Sequence, residues 1–117
     1  MKVVYLTEPG NMAIEEEDIP ELRKGCVLVK IEYNGICGSD VHFYKDGRVG
    51  DCVLREPFVL GHEVAGTVTE AADDVNGLKP GDRVALEPGY GCGRCEYCKT
   101  GRYNLCPDVK FFAAPPV

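Results

Sequence analysis

The sequence predicts a mainly β domain: short strands, few short helices and one metal-stapled loop lobe. Three observations predict it. Apolar residues alternate with period two in the clearest stretches. Glycine and proline, 14 and 8 of them among 117 residues, punctuate the chain too densely for long helices. Four of the seven cysteines fall within residues 92–106, where no regular period survives. At 12.8 kDa the chain is one domain by size, and folding should bury roughly 65% of its unfolded surface.

Residues 1–6 and 12–17 read as an antiparallel pair, because Glu8-Pro9-Gly10-Asn11 between them is a turn signal. The acidic run Glu15-Glu16-Glu17-Asp18 reads as a solvated strand end and linker. Val27, Val29, Ile31 and Tyr33 alternate with Leu28, Lys30, Glu32 and Asn34, the pattern of a half-buried strand that ends at Asn34-Gly35. Residues 39–45 then predict one or two helical turns, capped at the start by Ser39 or Asp40 and closed by Asp46-Gly47. Residues 48–57 show no period and read as a surface loop. Residues 63–71 return to β-branched strand composition, and the turn Lys79-Pro80-Gly81-Asp82 leads into a strand over 83–86.

The charge balance narrows the function classes. Thirteen Lys and Arg against nineteen Asp and Glu leave a formal charge of −6, the wrong sign for gripping a phosphate backbone, so nucleic acid is disfavoured as a partner. The apolar stretches, such as Phe58-Val59-Leu60, fall far short of the ~20 residues a membrane-spanning helix needs. The short apolar run after Met1-Lys2 is no signal core, so the expected location is intracellular, in the cytoplasm. In a reducing compartment clustered thiols serve metals or catalysis more often than disulfides.

Cys92-x2-Cys95-x2-Cys98-x7-Cys106 can turn four thiols toward one tetrahedral centre. Four thiolates would leave zinc no open position, so the site would be structural, a zinc-stapled loop lobe over about 87–107 that lacks apolar residues of its own. Gly91 and Gly93 permit the turns that bring amide N–H groups to sulfur, and Arg94, Lys99, Arg102 and Lys110 lie nearby to offset the −2 charge of such a centre. Disulfides, an iron–sulfur cluster or unligated thiols use the same residue type. A nucleic-acid-binding zinc ribbon would instead have two separated CxxC knuckles.

A second constellation lies in Cys37-Gly38-Ser39-Asp40-Val41-His42 and Gly61-His62-Glu63. Spacing does not show that the two segments meet. Where Cys37, His62 and Glu63 do meet, they give three protein ligands and a free fourth position, the pattern of a catalytic zinc. Taken singly, Cys37 reads as a small buried residue and His62 as a satisfied core histidine. Cys26, Cys52 and Glu87 belong to no motif, and Cys52 is the better candidate for adventitious oxidation.

Four motifs in order, Asn34-Gly35-Ile36-Cys37-Gly38-Ser39-Asp40-Val41-His42, Pro57-Phe58-Val59-Leu60-Gly61-His62-Glu63, Gly81-Asp82-Arg83-Val84-Ala85 and Cys95-Glu96-Tyr97-Cys98-Lys99-Thr100-Gly101-Arg102-Tyr103-Asn104-Leu105-Cys106, give a resemblance that covers the whole chain. The sequence resembles the zinc-dependent medium-chain alcohol dehydrogenases, and within them the polyol branch. The resemblance implies a GroES-like, partly open barrel as the catalytic domain over 1–117. It implies Cys37, His62 and Glu63 as ligands of a catalytic zinc, and Cys92, Cys95, Cys98 and Cys106 as ligands of a structural zinc, two metals per chain. It also implies Ser39 and His42 as a proton relay and Asp40 as the carboxylate that orients His62; Tyr44 reads equally as a residue lining the pocket of a small-molecule polyol and as a packing aromatic. The implied reaction is NAD-dependent oxidation of a secondary alcohol to a ketose, in a protein expected to be a homo-oligomer, a tetramer. L-Threonine or another secondary alcohol is the alternative substrate within the family, and a non-catalytic zinc-stabilised binding module the alternative outside it.

The chain departs from the family in carrying no G-x-G-x-x-G fingerprint: Gly89-Tyr90-Gly91-Cys92-Gly93 lies inside the metal lobe. The nucleotide-binding Rossmann domain is therefore expected outside this chain, whose apolar, proline-rich end Phe111-Phe112-Ala113-Ala114-Pro115-Pro116-Val117 suits a cut from a longer protein. The segment on its own is expected to be inactive, since hydride transfer requires a nicotinamide held within reach.

Overall fold

A computed structural model describes residues 1–112, so the proline-rich end beyond them lies outside the described residues. Strands make up 39% of the described residues and helices 14%, which bears out a mainly β chain with few helices. The expected hairpin forms from β1 (Lys2–Glu8) and β2 (Asn11–Glu16), with Tyr5 opposite Ala13. A short strand β6 (Phe58–Val59) pairs with the other edge of β1 and completes a three-stranded sheet in the order β2-β1-β6. A second sheet, β3-β7-β8, joins β3 (Val27–Gly35), β7 (Glu63–Ala71) and β8 (Arg83–Ala85), all antiparallel. Asp82 fixes the turn before β8 by accepting the Lys79 N–H at 2.9 Å.

The helix α1 (Gly38–Asp46) packs against the first sheet through Phe43, whose ring meets Phe58 edge-on at 5.1 Å. The turn of the β1–β2 hairpin ties down the end of α1, since the Gly10 N–H donates to the Tyr44 carbonyl at 2.7 Å. The buried core is small: Leu6, Phe43, Val68, Cys106 and one charged residue, Asp40. The acidic residues Glu15 to Asp18 are exposed, as expected of a strand end, and Glu17 accepts the Tyr5 hydroxyl.

Four expectations need correction. The segment expected to be a loop at 48–57 contains a small hairpin, β4 (Arg48–Val49) with β5 (Cys52–Val53), too short to leave a period in the sequence. The irregular lobe is bracketed by a further pair, β9 (Gly89–Tyr90) with β10 (Lys110–Phe111). Neither Ser39 nor Asp40 caps α1, because Cys37 occupies that place with extended backbone. Finally, the alternating face of β3 is covered only at its start. Ile31 is 47% and Tyr33 65% exposed, beyond register shifts at Leu28/Val29 and Ile31/Tyr33 that break the strict pleat. Among the described residues no helix is long and apolar enough to cross a membrane.

Candidate metal centres

Antiparallel pairing of β3 with β7 assembles the first centre. Gly35 at the end of β3 lies opposite Glu63 at the start of β7, so the chain leaving one strand and the chain entering the other run side by side. Cys37 sits two residues past Gly35, and His62 immediately precedes Glu63. One ligand atom each from Cys37, His62 and Glu63 lies within 4.8 Å of the others. Gly61 makes the approach possible: its φ of +106° is open to glycine, and a Cβ there would run into the Asn34 amide.

Asp40 joins the two ligand-bearing segments from behind. At the third position of α1 its Oδ2 accepts the Cys37 N–H at 3.0 Å, satisfying a donor at the helix start. Its Oδ1 faces His62 Nδ1 at 3.6 Å, too long for a hydrogen bond, and among the described residues these two buried atoms have no hydrogen-bond partner. That orphaned pair fits a metal ligand: an imidazole that coordinates through Nε2 carries its proton on Nδ1 and requires an acceptor there. Thiolate, imidazole and carboxylate are also a donor set suited to zinc with a position left open.

The other residues expected at this site spread along α1. Ser39 is half-buried in the first turn. His42 lies on the exposed side, its Nδ1 3.2 Å from Asp46 Oδ2. Tyr44, 39% exposed, lines an apolar cavity of about 490 Å³ together with Leu6, Met12, Ile36, Val41 and Leu60. Asp40 reaches the same cavity, as do Gly35 and Gly61, while Cys37, His62 and Glu63 do not line it.

The second centre is local. Cys92, Cys95, Cys98 and Cys106 bring their sulfurs within 4.8 Å of one another, and all seven cysteines are free thiols. The short helix α2 (Glu96–Lys99) starts at Cys95, and a 3₁₀ turn over Tyr103–Leu105 returns the chain to Cys106. Amide N–H groups point at sulfur: Cys92 donates to Cys106 at 3.4 Å, Cys95 to Cys92 at 3.4 Å and Cys98 to Cys95 at 3.5 Å. A side chain at Gly91 would come to 2.7 Å from the Cys98 sulfur, so this glycine is required by space. Donation from the Arg94 and Cys95 backbone lowers the Cys92 thiol to about 6, and desolvation beside the other sulfurs pushes Cys98 up to about 12. One thiolate held ready beside a Cys98 that keeps its proton suits a site completed by a cation. Of the four expected compensating cations, Arg94 reaches Asp108 at 4.0 Å and Arg102 lies over the Tyr97 ring at 5.4 Å.

Cys26, Cys52 and Glu87 are exposed and stand outside both centres. Sequence reasoning missed Phe111, whose ring meets His62 edge-on at a centroid distance of 5.2 Å. No period or motif marks it.

The family model described as "Alcohol dehydrogenase GroES-like domain" matches residues 23–114. Over all 117 residues the chain is 50% identical to a sorbitol dehydrogenase of Bacillus subtilis, covering 33% of that protein. Over 108 residues, 92% of this chain, it is 56% identical to a sorbitol dehydrogenase of Mus musculus, covering 30% of it. The crystal structure of L-idonate 5-dehydrogenase from Escherichia coli superposes with a TM-score of 0.87 at 36% identity, covering 99% of this chain and 33% of that one. The chain thus spans about a third of the length of the relatives it matches.

Proposed function

The chain belongs to the alcohol dehydrogenase GroES-like domain family, and from that premise we propose that it is the metal-binding N-terminal part of a zinc- and NAD-dependent polyol dehydrogenase. The protein oxidises a secondary alcohol of a sorbitol- or xylitol-type polyol to a ketose. The observation that carries this reading is the convergence of Cys37, His62 and Glu63 within 4.8 Å, backed by Asp40. The sorbitol dehydrogenases among the relatives support the polyol class.

Cys37, His62 and Glu63 hold one zinc, and the four lobe cysteines hold a second, structural one. Zinc at the open site supplies Lewis acidity toward an alcohol oxygen. The chain's own residues handle the proton and the fit. Ser39 receives the hydroxyl proton, and His42, three residues on along the same helical face and exposed, releases it to solvent. Asp40 keeps His62 in the tautomer that coordinates. Tyr44 and its apolar neighbours exclude water from the carbon chain of the polyol. NAD is held by the dinucleotide-binding domain of the intact protein, and the assembly is a homotetramer. A cytoplasmic location goes with this reading, because both clusters need reduced thiols.

Metal counting and turnover on the intact protein test the proposal. It should carry about two zincs per chain, one of them reached by added imidazole after cobalt substitution, and should reduce NAD with a polyol. Cys37→Ala should remove one metal and the activity together, and residues 1–117 alone should show no turnover. One closed zinc site with no alcohol oxidation would make the chain a zinc-stabilised binding module. Oxidation of L-threonine without polyols would move it to another branch of the family.

A further inference from the structure

The two metal centres are joined by one side chain. Cys92 follows β9 and Cys106 precedes β10, so the four-cysteine cluster ties together the chain leaving one strand and the chain entering the other. In that pair Phe111 lies opposite Gly89, where a Cβ would come to 3.5 Å from the ring. The Phe112 N–H closes the clasp by donating to the Pro88 carbonyl at 2.9 Å, and the Val109 N–H anchors it to the lobe through the Cys106 carbonyl at 3.1 Å. From this clasp the Phe111 ring reaches His62 at 5.2 Å with planes at 65°, the edge-to-face geometry that aromatic rings favour. Asp40 approaches the same imidazole through Nδ1. The ring is thus held from two sides, by a carboxylate of α1 and by a phenyl group mounted on the lobe.

We infer that Phe111 is a positioning residue for His62, and that through it metal in the four-cysteine cluster tightens metal binding at Cys37, His62 and Glu63. The inference rests on the proposal that both clusters bind zinc. A filled four-cysteine cluster fixes β9 and β10 in register, which fixes Phe111 and narrows the range of imidazole orientations. By linkage the effect is reciprocal: metal at the open site holds the lobe's metal by the same factor. Because a single aromatic contact carries the coupling, the factor is modest, ~2- to 10-fold.

The test uses the intact protein with zinc in the lobe, titrating cobalt into the open site and reading its visible absorption bands. Phe111→Ala should weaken cobalt binding ~2- to 10-fold and alter the band pattern, while Phe111→Tyr, which keeps the ring, should restore both. Emptying the lobe with Cys98→Ser and Cys106→Ser should weaken the open site in the parent but add nothing in the Phe111→Ala background. Unchanged cobalt affinity and bands in Phe111→Ala would overturn the inference, as would full additivity of the two changes. Should the emptied lobe fail to fold, linkage decides the coupling: with the open site filled, Phe111→Ala should also loosen the lobe's zinc ~2- to 10-fold, and an unchanged lobe affinity would overturn it. A protein that takes up no metal at Cys37, His62 and Glu63 sinks the functional reading and this inference with it. Normal uptake indifferent to Phe111 sinks the inference alone.

Discussion

The carboxylate of Asp40 faces the imidazole of His62 across 3.6 Å, the two facing atoms buried, while its second oxygen holds the Cys37 backbone at 3.0 Å. One side chain therefore sets the orientation of two prospective ligands that lie on different elements. Asp40→Asn is the informative change. The amide oxygen can keep the Cys37 N–H, but an NH2 group then faces Nδ1 and forces the imidazole proton onto Nε2, the nitrogen needed for metal. Metal affinity at this centre should fall by roughly 10- to 100-fold. Isothermal titration of the metal-free protein checks it, and an unchanged affinity would remove Asp40 from the metal site.

Gly61 governs whether His62 can reach that position at all. With φ at +106° and the Asn34 side-chain amide where a Cβ would stand, Gly61→Ala costs about 1–2 kcal/mol in backbone strain and pushes the exposed Asn34 amide aside. The variant should lose about 1–2 kcal/mol of stability in urea unfolding and bind metal weakly at the first centre. Full stability would mean that the turn before β7 is not held by this contact.

These two residues also show what the sequence could and could not reveal. The hairpin at the start, β3 and β7 were legible because six to nine residues each carry composition or period. The two-residue strands β4, β5, β6, β9 and β10 carry neither: β4 and β5 close on each other across Gly50-Asp51, β6 forms against β1, and β9 and β10 meet at the base of the cysteine lobe. The four-cysteine cluster was legible for the same local reason: its spacing is its geometry. The meeting of Cys37 with His62 and Glu63 was not, because it follows from the register that sets Gly35 opposite Glu63, a property of strand pairing. Phe111 escaped notice because its role depends on that same meeting. The exposure of Ile31 and Tyr33 shows the limit of alternation, which marks the face able to be buried but not what covers it.

Metal removal should separate the lobe from the sheet. Between residues 87 and 107 only Gly89 and Cys106 are buried, so little apolar area holds this stretch. The β3–β7 pair, by contrast, joins two nine-residue strands through a ladder that includes the fully buried Val68. A strong chelator should therefore abolish hydrogen-exchange protection at the lobe amides that point to sulfur, those of Cys92, Cys95 and Cys98, while the β3–β7 amides stay protected. Protection of the lobe that outlasts complete zinc removal would show that the thiols pack without a metal.

The pH dependence of lobe loading follows from the unequal thiols. Cys98, pushed up to about 12 by burial, must give up its proton to a metal at every pH below that value, which adds a constant dependence on pH across the neutral range. Cys92, lowered to about 6 by backbone N–H groups, is already a thiolate at neutrality and adds none. As pH falls through about 6 the free lobe takes up a proton on Cys92 that metal binding must expel. Affinity then declines by a further factor of about ten per pH unit, because a protonated thiol is no ligand. Competition against a chromophoric chelator, corrected for the chelator's own protonation, should show the slope of log affinity against pH steepen by about one below pH 6. A slope that stays constant through that region would mean the amides of Arg94 and Cys95 do not hold Cys92 as the ready thiolate.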